Sequence, residues 1–140
     1  MWNPTRDQAR RFLAAAWDKY RAGVPLSGLE TKVAGIVAVH PEYHRLLEDL
    51  APNLDREWTP DTGESNPFLH LSLHLAVAEQ LAIDQPPGIV GEYQRLCRTL
   101  PDEHAAQHAL IECLAETLWQ AQRLETAPDG AGYLDCLRRR

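Results

Sequence analysis

Residues 66–83 read NPFLHLSLHLAVAEQLAI, and this stretch decides the fold. Asn66 offers a side-chain oxygen to the first free amides of a helix, and Pro67 carries a backbone angle preset for a first turn. The pair predicts a helix running to Ile83, where Asp84-Gln85-Pro86-Pro87-Gly88 forces a hard turn. His70 and His74 then lie one turn apart on one face, about 40° from each other, with Val77 and Leu81 on the same apolar stripe. Only Ser72 and Glu79 fall near the opposite side. A helix that is apolar nearly all round is expected at the centre of its fold.

The flanking sequence is punctuated in the same way. Asn3-Pro4 predicts a cap and helix start, followed by Phe12, Leu13, Ala16, Trp17 and Tyr20 at three- and four-residue steps until Gly23. Ser27 and Glu30 form a capping-box pattern before Leu29, Val33, Ile36 and Val37. Pro41 must break that second helix, with a short continuation to about Leu50. Residues 51–65 hold turn formers without a period and predict one long internal loop. Helices are expected from about Ile89 to Leu100 and from Pro101-Asp102 to about Leu124. A last one follows Pro128-Asp129-Gly130. The fold class expected is all-α, an antiparallel helical bundle of five to six helices forming a single domain over residues 1–140.

Histidine placement is the informative feature. All six fall in pairs spaced by four: His40 and His44, His70 and His74, His104 and His108. Random placement gives roughly 0.2 such pairs. Two imidazoles one turn apart can converge on one transition-metal ion or on two adjacent ions. The spacing continues to a carboxylate twice, as His40-x3-His44-x3-Glu48 and as His104-x3-His108-x3-Glu112. On the long helix the histidine stripe also takes in Ile111, Ala115, Leu118 and Trp119, so His104 and His108 are expected to point into the core. The candidate metal ligands are therefore His70, His74, His104, His108 and Glu112, with His44, His40 and Glu48 beside them. Buried imidazoles need both ring nitrogens satisfied, and a shared ion does that in hydrocarbon surroundings. Imidazole and carboxylate without thiolate suit a divalent transition metal, iron or zinc, as one or two ions.

Four long strings carry a resemblance across nearly the whole chain: RDQARRFLAAAWDKYRAG (6–23), HPEYHRLLED (40–49), NPFLHLSLHLAVAEQLAIDQPPGI (66–89) and HAAQHALIECLAETLWQAQR (104–123). They resemble a family of small bacterial proteins known as a domain of unknown function. The resemblance implies a bacterial cytosolic protein and supplies no activity. The layout is also similar in kind to hemerythrin-like bundles, in which His-x3-Glu and His-x3-His runs sit on neighbouring helices. Here the first helix offers no histidine, and the Glu-x-x-His pairs of ferritin-like di-iron proteins are absent.

Composition narrows the partners. The 140 residues are 44% hydrophobic and 24% charged, with a net charge of −6. That is a globular chain with a poor electrostatic case for nucleic acid, its one basic run being Arg138, Arg139 and Arg140. The most apolar stretch, residues 68–78, is too short to span a bilayer, and residues 1–4 lack the layout of a signal peptide. A soluble cytoplasmic protein is expected. Cys97, Cys113 and Cys136 form no close pair and are expected as small apolar fillers. Cys113 lies about 180° from His104 on the helical wheel, facing away from the histidine stripe. No phosphate loop, nucleophile elbow or HExxH motif is present. Two functions remain: a metal-binding helical protein acting on a small ligand by redox or hydrolytic chemistry, or a non-catalytic interaction module in which the histidine cluster is structural.

Overall fold

The computed structural model describes residues 5–58 and 65–140. Among these residues every regular element is helical, with seven α-helices and two short 3-10 turns. They are α1 (Arg6–Ala22), α2 (Gly28–Ala38), α3 (His44–Glu48), α4 (Pro67–Ile83), α5 (Ile89–Thr99), α6 (Glu103–Leu124) and α7 (Gly130–Arg138). The all-α class is as expected. The count exceeds five to six because the chain beyond Pro41 first makes a 3-10 turn, Pro41–Tyr43, and then a separate five-residue helix. A second 3-10 turn, Ala51–Asn53, opens the expected 51–65 loop, of which residues 59–64 lie outside the described residues.

The helix starts follow the caps read from sequence, with one shift. Ser27 and Glu30 exchange side-chain and backbone bonds at the head of α2, and Asn66 Oδ1 accepts from the Phe68 and Leu69 amides. Asp102 and Asp129 cap α6 and α7. At α1 the cap is Thr5, in a reciprocal capping box with Gln8; Asn3 and Pro4 lie outside the described residues. Gly23 closes α1 at φ +72°, in the left-handed region where a Cβ is disfavoured.

The chain divides into two compact units, Met1–Leu75 and Ala76–Arg140. In the first, α1 packs on α2 and α3. Leu13, Ala16, Trp17, Val33, Val37 and Leu47 join Phe68, Leu71 and Leu75 of α4 in one core. Arg10 is buried beside this core, at 3% exposure. Its Nη1 donates to the carbonyls of Asn53, Leu54 and Arg56 at 3.1, 2.9 and 2.8 Å. The guanidinium also lies over the rings of Phe68 and Trp58, at 4.6 and 5.3 Å. One cation thus satisfies three carbonyls of a segment without regular structure, and burial lowers its pKa.

In the second unit α6 packs on α5 and α7. Its buried residues are Ala106, Ala109, Leu110, Cys113, Leu114, Thr117 and Ala121, together with Ile111, which is buried as expected. That set corrects the expected phasing, because it centres on the side of α6 away from His104 and His108, which are only half-buried. Leu118 and Trp119, expected inward with the histidines, are exposed. The cysteine expectation is corrected on the same ground. Cys113 faces α7 and is disulfide-bonded to Cys136, while Cys97 is a free thiol. A spacing of 23 residues carries no motif; only the docking of α7 on α6 brings the two sulfurs together. The α4 expectation is also trimmed: Leu71, His74, Leu75 and Val77 are buried, but Leu69 and Ile83 face out.

Candidate metal centre

His40 owes its position to Pro41. The proline ends α2, and His40 takes φ −124° and ψ 66°, an extended kink from which its side chain turns back. Its ring is 2% exposed, and Nδ1 lies 2.7 Å from the Ile36 carbonyl oxygen. A carbonyl can only accept, so Nδ1 carries the proton, and in the neutral ring Nε2 is the atom with the lone pair. This is the arrangement by which proteins orient a metal-binding imidazole.

The rings of His70 and His74 lie 5.2 and 4.6 Å from the His40 ring, and 4.8 Å from each other. All three pairs meet edge to face, at 72°, 69° and 80°. His74 is 2% exposed. The first unit therefore gathers three imidazoles, two from the α4 face read in sequence and one from the break before Pro41. Tyr43 completes the group, stacked on His40 at 5.5 Å and edge-on to His70 at 6.0 Å. Burial pushes its phenol pKa up, so the phenol stays protonated around neutral pH. Tyr43 was missed in the sequence, although it stands inside the HPEYH string three residues after His40.

The second unit holds the remaining pair. His104 and His108 stand one turn apart on α6, with ring centroids 4.1 Å apart and an interplanar angle of 67°. The Asp102 cap, accepting from the Ala105 amide at 2.7 Å, fixes where this helix begins and so the phase of both residues.

The other three candidate ligands are held by other partners. His44 stacks on Trp17 at 4.4 Å, and its Nε2 donates to the Val37 carbonyl at 2.7 Å. Pro41 is the physical reason that His40 and His44, four apart, do not share a helical face. Glu48 accepts from Trp17 Nε1 at 3.1 Å and pairs with Arg21 at 3.7 Å. Glu112 is exposed and paired with Arg140. What remains is imidazole: His40, His70 and His74 in the first unit, and His104 with His108 in the second.

The family description "Domain of unknown function (DUF1841)" matches residues 5–139. The chain belongs to that family. No curated protein and no solved structure matches the chain. Membership in DUF1841 brings no activity with it, so chemistry rests on the residues alone. Among the described residues no helix is long and apolar enough to cross a membrane.

Proposed function

We propose that this protein is a transition-metal-binding helical protein in which His40, His70 and His74 of the first unit hold one divalent ion. The observation that carries the reading is the trio of imidazoles in the first unit. Three rings stand within 5.2 Å of one another, and two of them are 2% exposed. The Ile36 carbonyl sets the His40 tautomer with Nε2 as donor. Imidazoles gathered this closely can converge on one ion. Tyr43 lines this site, and the His104–His108 pair on α6 offers a separate position to a second ion.

Imidazole donors without thiolate or carboxylate favour zinc or iron among the commoner ions. Such a metal would supply Lewis-acid or redox chemistry to a small ligand. The composition, with its net charge of −6, gives no support to nucleic acid as partner. A second reading, an interaction module with a structural metal, draws support from Leu118, Trp119 and Leu124 of α6, which are 37%, 55% and 71% exposed.

The test is elemental analysis of untagged protein purified without a nickel column, followed by competition with a coloured chelator. One equivalent of zinc or iron is expected. It should be lost in His40→Ala and in His74→Ala, and retained in His44→Ala. Protein that binds neither ion, before or after reconstitution, overturns the proposal.

A further inference from the structure

The second unit has a cleft beside His108 that the metal reading does not use. It has a volume of about 360 Å³ and is lined by Leu100, Ala105, His108, Ala109, Glu112 and Arg140. That volume lies at the lower end of the range for small-molecule sites. Its chemistry is ordered. Leu100, Ala105 and Ala109 offer short aliphatic walls, His108 offers an imidazole, and the one cation in the lining is Arg140. Arg140 is paired with Glu112, and both side chains reach solvent, at 39% and 58% exposure. The charged pair therefore stands at the solvent-facing side of the cleft, with Glu112 one helical turn beyond His108.

We propose that this cleft binds a short-chain monocarboxylate. The ligand carboxylate takes the Arg140 guanidinium, its hydrocarbon chain lies along Ala105 and Ala109, and its far end reaches His108. A guanidinium presents paired N–H groups matched to a carboxylate, and such bonds are about twice as strong as neutral ones. A single cation beside an acidic side chain suits a monoanion; a dianion such as phosphate meets Glu112 with no second positive charge to offset it. Glu112 is then the built-in competitor for Arg140, and removing its charge must strengthen ligand binding. Binding in the cleft stands by itself. Only the meaning of the ligand's far end, delivered to one of the α6 imidazoles offered to a second ion, rests on the proposed function.

The experiment is a titration of metal-stripped protein, labelled with 15N, with sodium butyrate, using n-butylamine as the charge-reversed control. Saturable shifts are expected at the Ala105 and Ala109 amides and the His108 ring, with Kd of about 1–10 mM, suited to so few heavy atoms. Arg140→Gln should weaken binding about tenfold, and Glu112→Gln should tighten it about threefold, since the two act on one charge-assisted contact in opposite senses. Both side chains are at the surface, so the fold is retained in both variants. Butylamine binding as well as butyrate overturns the inference, as do shifts that fail to saturate or an Arg140→Gln variant with unchanged affinity. Butyrate binding by a chain that takes up no metal leaves the cleft standing and removes the metal. Metal uptake without butyrate binding does the reverse.

Discussion

Reducing the Cys113–Cys136 bond tests the fold of the second unit most directly. The two residues are 23 apart in sequence, and both are buried, Cys113 at 0% and Cys136 at 8% exposure. Closing a loop of that length removes about 11 cal/mol/K from the unfolded chain, which is about 3 kcal/mol at 25 °C. Reduction leaves both sulfurs in place as small apolar groups, so little packing energy changes beside the entropy. Opening reactions that unfold α6 and α7 should then become about 100-fold more frequent. The assay is amide hydrogen exchange on native protein with and without a phosphine reductant, alongside mass counting of alkylated thiols. One thiol, Cys97, should react before reduction and three after it. Protection should fall in α6 and α7 and stay constant in α1 and α2. Three reactive thiols in protein isolated under oxidising conditions would refute the reasoning. So would an equal loss of protection in both units. The thiol count also bears on the expected cytoplasmic address, because disulfides are rare where thiols are kept reduced.

Four further outcomes are expected. His40→Ala and His74→Ala should each lower metal affinity at least tenfold, and at saturating metal they should forfeit the stabilisation of about 2–4 kcal/mol that tight binding adds, measured by chelator competition and thermal melts. Arg10→Met keeps the aliphatic stem but leaves three carbonyls without their cation, so urea titration should show a loss of about 2–4 kcal/mol, and limited proteolysis should open residues 53–58. The Lys19 ammonium and the Ser27 amide hold the Glu30 carboxyl below its ordinary value of 4.5. Its stabilisation is therefore full above that value and lost as pH falls through the depressed one; melts of wild type against Glu30→Gln from pH 3 to 6 should converge at the acid end. Metal affinity should drop on acidification below about pH 6, since a coordinated imidazole must be neutral; calorimetry showing no change between pH 7.5 and 5.5 would exclude imidazole ligation.

Much of this was legible in the residues because helices are governed by local chemistry. Asn66, Ser27 and Asp102 mark helix starts through bonds only two or three residues long. His70 and His74, and likewise His104 and His108, meet ring to ring because a helix brings residues four apart together whatever else it packs on. The failures lie where one helix meets another. The sequence reading put His104, His108, Leu118 and Trp119 on the inner side of α6; Leu110, Cys113 and Thr117 hold it because α5 and α7 dock there. The same docking made the disulfide. The spacing of His40, His44 and Glu48 is interrupted by Pro41, a break the sequence announces, but where the two rings go is set by packing: one meets His74 and the other Trp17. Arg10 drew no notice at all, since nothing in a helical pattern announces that a surface-type residue will bind the carbonyls of a loop more than forty positions away.

The bond from His40 to the Ile36 carbonyl has a consequence for how fast the site can fill. An imidazole in water spends part of its time as the wrong tautomer and most of its time in the wrong orientation, and an incoming ion must wait for both to correct. Here the ring is clamped by a main-chain acceptor at 2.7 Å and by the Tyr43 ring stacked against it. The entropy of arranging that ligand is spent during folding, so the barrier to metal capture falls to the ion's own loss of water.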